Sequence, residues 1–209
     1  PTNQNYSIDF REMAPAKSFT SMYLKEDGSF NDKKLSTFGY LASGVPGTVA
    51  GFWEVHQKFG SLEWELLLED AIFYAENGFE ITPYMGDILT KYKEKLSYFA
   101  PTKNIFMKHN PDFTGSTLIQ KDLANTLKII AKKGKDGFYK GEVAQNIASQ
   151  MQKNGGLITQ NDLEAYKPQW RKPLISDYRN NKIITMGPPS SGGVHVIQML
   201  NILENYDLQ

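Results

Sequence analysis

Thr185-Met186-Gly187-Pro188-Pro189-Ser190-Ser191-Gly192-Gly193-Val194-His195-Val196-Ile197-Gln198-Met199-Leu200 passes from a short β-like segment, through a proline, serine and glycine elbow, into an apolar helix. The helix is expected to begin at about Gly193 and to carry Val196, Ile197, Leu200 and Leu203 inward. Just upstream, Leu174 to Tyr178 and Lys182 to Met186, joined across Arg179-Asn180-Asn181, predict a β-hairpin. Strands therefore lie next to a helix in one short stretch, which points to an α+β fold.

Outward from that stretch, helical periodicity dominates. Val45, Val49, Phe52, His56 and Phe59 recur at spacings of four and three and predict an amphipathic helix ended by Gly60. Trp64, Leu67, Leu68, Ala71, Ile72 and Ala75 form a second stripe, stopped by Asn77-Gly78. Thr82-Pro83 supplies a cap and a first-position proline for a third, with Met85, Ile88, Leu89, Tyr92 and Leu96 on one face. Pro101 to Gly115 reads as irregular. Leu123, Leu127, Ile130 and Ala131 predict a helix ending in Lys132-Lys133-Gly134, and Val143, Ile147 and Met151 another ending at Gly155-Gly156. Thr159-Gln160-Asn161-Asp162 has the form of a capping box with Asp in the Glu place, opening a short helix that Pro168 closes.

Near the start, Tyr6 to Arg11 reads as extended with no partner strand close in sequence. Lys17 to Leu41 reads as a polar loop with one turn, around Glu26-Asp27-Gly28 and Asn31-Asp32-Lys33-Lys34. A lone strand near Pro1 and a final helix whose apolar face needs a neighbour suggest part of a longer protein.

Composition narrows the classes. The chain has 209 residues, 40% hydrophobic and 12% aromatic, enough for a sizeable core. Lys+Arg and Asp+Glu are both 23, so the balanced charge gives no long-range pull toward nucleic acid or an anionic membrane. No run approaches the roughly 20 apolar residues of a membrane-spanning helix. The absence of cysteine removes disulfides, thiolate chemistry and cysteine metal sites.

Few residues offer chemistry. His56, His109 and His195 are far apart and lack metal-site spacing, so no metal is expected. Gly44-Val45-Pro46-Gly47-Thr48 lacks the Gly-Lys-Ser/Thr of a phosphate loop. Gly47 and Gly51 share one helical face, which favours close packing instead. Ser190, Ser191, Gly192 and Gly193 present hydroxyls and N–H groups at a helix start, a candidate anion or oxyanion nest, with simple serine capping as the other reading. No Gly-x-Ser-x-Gly elbow is present, so neither serine reads as a nucleophile. Arg11 stands at the end of the first extended segment. Its guanidinium fork suits a carboxylate, while an internal ion pair with Glu12 or Asp9 is slightly favoured by sequence physics alone. Glu63/Glu65 and Glu69/Asp70 read as solvated helix faces.

Five motifs occur in one order: Asp9-Phe10-Arg11-Glu12-Met13-Ala14-Pro15, Ala42-Ser43-Gly44-Val45-Pro46-Gly47-Thr48-Val49-Ala50-Gly51, Phe138-Tyr139-Lys140-Gly141, Asn154-Gly155-Gly156-Leu157-Ile158-Thr159 with Asp162-Leu163, and Pro188-Pro189-Ser190-Ser191-Gly192-Gly193. By these the chain resembles the gamma-glutamyltranspeptidase family. The resemblance implies an N-terminal-nucleophile hydrolase, an αββα sandwich made as one precursor that cleaves itself into a large and a small subunit. Residues 1–209 resemble a single, middle-to-late segment of the large subunit.

On that likeness Arg11 binds the α-carboxylate of a γ-glutamyl group, which reverses the ion-pair preference. The nucleophile would be the threonine that begins the small subunit, so no catalytic residue is expected in this chain and the chain alone should be inactive. The implied reaction cleaves the γ-glutamyl amide of glutathione or a related compound through a threonyl acyl-enzyme. The acyl group then passes to water or to an amino acid or peptide acceptor. No cofactor is called for. The implied partner is the small subunit, and the implied location is the periplasm or the exterior. Two other readings stand beside it: a related acylase (a cephalosporin acylase or poly-γ-glutamate depolymerase), and a stand-alone helical module that binds an anion.

Overall fold

The first extended segment finds its partner some 160 residues along the chain. In the computed structural model, which describes residues 4–30, 35–108 and 113–207, β1 (Ser7–Asp9) is followed by α1 (Thr48–Phe59), α2 (Glu69–Asn77), β2 (Phe79–Glu80), α3 (Pro83–Lys91), α4 (Lys93–Ser97), α5 (Ala100–Phe106) and β3 (Thr117–Leu118). Then come α6 (Lys121–Lys133), α7 (Asp136–Tyr139), α8 (Gly141–Lys153), α9 (Gln160–Ala165), β4 (Gln169–Arg171), β5 (Leu174–Tyr178), β6 (Asn181–Thr185) and α10 (Gly192–Leu203). Two compact units result: Pro1–Glu54 with Gly155–Gln209, and Val55–Asn154. His109 and the Asn31-Asp32-Lys33-Lys34 turn lie outside the described residues.

In the first unit, β1 pairs antiparallel with β4, placing Ser7 opposite Arg171, Ile8 opposite Trp170 and Asp9 opposite Gln169. Tyr6 and Trp170 meet edge to face at 6.1 Å. The predicted hairpin is present as β5–β6, but its turn is shorter than expected. Arg179 and Asn180 alone make it, with φ of 45° and 64°, while Asn181 already pairs with Tyr178. Two successive positive φ values are those of the two-residue turn whose twist matches its strands.

Val45, Ala50, Ile158, Leu163 and Tyr166 are buried in this unit. Val45 lies before α1, in a bridge with Met13, not on the helix stripe. The side of α1 that is buried carries Ala50 and Gly51, where an added Cβ would run into the ring of Phe10, while Phe52 is exposed. A second expectation also fails in part. Val196 is 41% and Leu203 38% exposed, and only Ile197 and Leu200 are half-buried. The close approach on α10 is made at Gly193, where an added Cβ would lie 2.7 Å from Thr185 Oγ1 and closer still to the Met186 carbonyl. Apart from His195, Gln198 and Asn201, α10 is apolar, so its sequence does not reveal which part of that wide face is covered.

The second unit has its core at Ile81, Leu89, Phe113 and Leu118, with Phe79, Met85, Leu96 and Phe106 packed around it. Thr82 caps α3 as expected, its Oγ1 accepting from the Met85 amide at 3.3 Å. The stripe from Met85 to Leu96 is split at Tyr92 (φ −103°, ψ 13°), which separates α3 from α4. Part of the segment expected to be irregular forms α5, with Pro101 in its first turn. Ala124 and Ala144 are fully buried, and Trp64 Nε1 donates to the Ile130 carbonyl at 3.1 Å. His56 Nε2 donates to the Leu62 carbonyl at 2.8 Å, with its ring edge to face against Trp64.

Candidate functional site

β1 ends at Asp9, and the chain then runs irregularly past Arg11. The Asp9 side chain is 8% exposed, and both of its oxygens are engaged. Oδ1 accepts from the Arg11 amide at 3.2 Å, and Oδ2 receives Arg171 Nε at 2.9 Å and Nη2 at 2.8 Å. Burial pushes this carboxyl up, but the Arg11 amide and the Arg171 guanidinium outweigh it and hold the group below its ordinary value. Arg171 stands on β4 two positions from the residue opposite Asp9, a diagonal reach across the antiparallel pair.

The other side of the Arg11 backbone is held as well. The Tyr166 hydroxyl donates to the Arg11 carbonyl at 2.7 Å from a side chain only 7% exposed. Burial, with the nearby Asp9 and Glu12 charges, raises the pKa of that phenol. Further on, Met13 exchanges two main-chain bonds with Val45 at 3.2 and 2.8 Å, and the Ala16 amide donates to Asp162 Oδ1 at 2.8 Å. The Thr159–Asp162 capping box is present, so Asp162, in the first turn of α9, serves both the cap and the segment that runs on from Arg11.

Against this fixed backbone, the Arg11 side chain is 54% exposed. Its Nη1 donates to the Pro189 carbonyl at 3.3 Å, and Nη2 lies 3.9 Å from an exposed Glu12 carboxylate. The Glu12 contact is at the outer edge of an ion pair and is worth little in solvent. Asp9 is occupied by Arg171 through its side-chain contacts. Among the described residues, the internal ion pair weighed for Arg11 is therefore a weak one, and few of its five N–H donors are engaged. Two clefts flank it. One, of about 280 Å³, is lined by Asp9, Arg11, Glu12, Tyr166, Lys167, Arg171 and Pro189 among others. The other, of about 520 Å³, is lined by Phe10, Arg11, Glu12, Gly44, Gly47, Thr48 and Met186 among others.

Pro189 connects Arg11 to the elbow, so the structure brings together two regions 178 residues apart. Ser190 is half-buried, Ser191 and Gly192 are exposed, and Gly193 is buried. Ser191 takes the N-cap position of α10 in helical geometry and makes no side-chain capping bond, so serine capping is not what it does. His195 is exposed on α10, and His56 belongs to the other unit. Asp9, Tyr166 and Arg171 were not legible as site residues. The sequence marks no strand at Gln169-Trp170-Arg171, and without β4 nothing places Arg171 beside Asp9.

No helix among the described residues is long and apolar enough to cross a membrane. In the first unit, Arg11 stands on a backbone held from both sides, beside the glycine-rich start of α10. The family likeness is borne out by comparison with known proteins. The Glutathione hydrolase proenzyme of Escherichia coli (strain K12) is 47% identical over 205 residues, covering 97% of this chain and 35% of that protein. The crystal structure of Helicobacter pylori gamma-glutamyltranspeptidase superposes with a TM-score of 0.95 at 45% identity, over 99% of this chain and 59% of that one. The gamma-glutamyltranspeptidase from Pseudomonas nitroreducens, solved in complex with L-DON, gives 0.90 at 39% identity, over 98% and 60%. The chain thus spans about a third of the length of the curated relatives it matches. Its helix-rich α+β fold is part of an N-terminal-nucleophile hydrolase architecture. Residues 1–209 match the family described as Gamma-glutamyltranspeptidase from end to end, and the chain belongs to that family.

Proposed function

We propose that residues 1–209 form one segment of the large subunit of a gamma-glutamyltranspeptidase, and that Arg11 binds the α-carboxylate of the γ-glutamyl donor. The observation that carries this reading is the Arg11 guanidinium itself: solvent-facing, flanked by two clefts, and mounted on a backbone fixed from both sides. A planar fork of N–H donors matches a carboxylate with two parallel bonds, which fixes orientation as well as adding affinity. The start of α10, from Ser190 to Gly193, is a second anion-binding element in the proposal. Its main-chain N–H groups complement negative charge.

The reacting atoms come from a partner segment, the small subunit of the same precursor. Its N-terminal threonine hydroxyl attacks the γ-carbonyl of glutathione or a related amide, passing its proton to its own α-amine. Collapse of the tetrahedral intermediate expels the amine with that proton and leaves a γ-glutamyl ester on the threonine. Water or an amino acid or peptide amine then attacks the ester and restores the hydroxyl. In this scheme residues 1–209 bind and orient, and are inert alone. The assembled enzyme works in the periplasm or outside the cell. The test is hydrolysis of a γ-glutamyl anilide by the complete protein. Turnover that disappears when the threonine-led segment is omitted supports the reading. Tight, saturable binding of glutamate or phosphate by residues 1–209 alone, with no turnover by the complete protein, would replace it with an anion-binding module.

A further inference from the structure

Arg11 is asked to meet a carboxylate with a long, flexible side chain that holds few bonds of its own. One carbonyl at 3.3 Å and one exposed carboxylate at 3.9 Å do not fix a guanidinium. What the structure fixes is the main chain beneath it. The Arg11 N–H is held by Asp9, and the Arg11 carbonyl by Tyr166. Together these restrain both peptide planes that set where the side chain leaves the backbone. Asp9 is itself held by two nitrogens of Arg171. We propose that Tyr166 and the Asp9–Arg171 pair are positioning residues for donor recognition, orienting the Arg11 guanidinium through its backbone. The proposal rests on the Arg11 reading above.

The chemistry of the cleft gives Asp9 a second part. Arg171 lines the same 280 Å³ cleft as Arg11 and is itself partly exposed. While its fork is occupied by Asp9, Arg11 faces a bound carboxylate without competition. Without the Asp9 charge, Arg171 becomes a second cation in that cleft, able to draw the donor into a wrong pose. Tyr166 acts by geometry instead. An added Cβ at Gly47 would meet the phenolic oxygen and the Phe10 carbonyl, so the hydroxyl has a walled seat from which to reach Arg11.

The experiment is steady-state kinetics of the complete enzyme, with Tyr166→Phe made alone and together with Arg11→Ala. The phenylalanine keeps the ring and removes the bond. The expected result is a KM for γ-glutamyl anilide raised about threefold to tenfold, by more than kcat falls, as for the loss of one hydrogen bond that serves binding. In the Arg11→Ala background the same change adds nothing, because no guanidinium remains to orient. An effect of equal size in both backgrounds means that Tyr166 is structural only and overturns the proposal, as does an unaltered KM in the single variant. A 4-aminobutyryl anilide, which is the γ-glutamyl donor without its α-carboxylate, separates the two levels. Arg11→Ala that fails to discriminate between the donors sinks the Arg11 reading and the proposal with it. Arg11→Ala that discriminates, beside a Tyr166→Phe that does not, sinks the positioning role alone. Should Tyr166→Phe fail to mature, Arg171→Met and Arg171→Lys repeat the comparison. The lysine is expected to recover part of the donor-selective loss caused by methionine, and equal, unselective losses in both would overturn the role of the pair.

Discussion

Gly47 and Tyr166 are packed so closely that a methyl group on the glycine would overlap the phenolic oxygen. The same methyl would collide with the main-chain carbonyl of Phe10, one residue before Arg11. The glycine in the Gly-Val-Pro-Gly-Thr stretch is thus required by a close approach, and the approach is made to the segment that carries the candidate substrate arginine.

Gly47→Ala is therefore expected to destabilise the protein by about 1–3 kcal/mol, since neither a buried phenol nor a backbone carbonyl can swing aside. Gly192→Ala is the control. Its added Cβ meets nothing nearer than Ser190 Oγ at 3.6 Å, an ordinary contact, so stability should hardly move. Chemical denaturation of both variants checks this, and equal midpoints would contradict it.

Stability should also fall off asymmetrically with pH. Asp9 and Asp162 are both held below the ordinary carboxyl value of 3.8, burial notwithstanding, by hydrogen bonds from Arg11 and Arg171 and from Thr159 and Ala16. The unfolded chain therefore binds these protons more tightly than the folded one. Their contribution is complete above the ordinary value and is lost as pH falls through the depressed folded values. Tyr166 acts at the other end. Its phenol is raised above 10.0 by burial and by the Asp9 and Glu12 charges, so its contribution is present below that value and lost as pH rises through the raised one. Melting temperatures measured against pH should show a shallower acid limb for Asp9→Asn and a shallower alkaline limb for Tyr166→Phe. Curves parallel to the parent protein would contradict the assignments.

What could be read from the residues followed the range of the interactions involved. Thr82-Pro83 and Thr159 to Asp162 marked helix starts correctly because a cap is made within three residues. The hairpin was legible in the same way, although its two-residue turn was not, since Arg179 and Asn180 carry no glycine to advertise positive φ. α5 was missed because Pro101 reads as a breaker, whereas in a first turn proline has no amide bond to lose. At the candidate site, Arg11 stands in a recognisable motif. The residues that hold its backbone do not. Tyr166 lies 155 residues from Arg11 and Arg171 lies 162 from Asp9, and no local pattern encodes a pairing of β1 with β4. Apolar composition likewise misplaced Phe52, Val196 and Leu203, because periodicity names a face without saying whether anything covers it.

The two helix caps should differ in cost. Thr82 Oγ1 accepts one bond, from the Met85 amide, so Thr82→Ala is expected to cost about 1 kcal/mol. Asp162 accepts from the Thr159 amide at 2.8 Å, the Thr159 hydroxyl at 2.6 Å and the Ala16 amide at 2.8 Å. Asp162→Ala removes a cap and unties the segment that runs on from Arg11. It should cost about twice as much, and should raise the donor KM as well, which Thr82→Ala should not. Thermal unfolding and donor kinetics on the two variants make the comparison. A donor KM unaffected by Asp162→Ala would show that the tie at Ala16 does not reach the site.

The sharpest prediction concerns the guanidinium itself. Removing a charged hydrogen-bond partner costs about 1.5–3 kcal/mol, so Arg11→Ala in the complete enzyme should lower kcat/KM for a γ-glutamyl anilide by roughly tenfold to 150-fold. The contact lies at the amino-acid end of the donor, away from the amide that breaks. It is made equally in ground and transition states, and the loss should therefore fall mainly on KM. Arg11→Lys separates charge from shape. Lysine keeps one positive charge at the mouth of the clefts but cannot present two parallel N–H groups, so it should recover only part of the alanine loss. It should also be the more salt-sensitive of the two arginine replacements, because a point charge in a half-exposed site is screened more readily than a pair of directed bonds. Kinetics at low and high ionic strength decide between these outcomes. Full recovery by lysine would mean that Arg11 supplies charge alone, and no effect in either variant would remove it from the donor site.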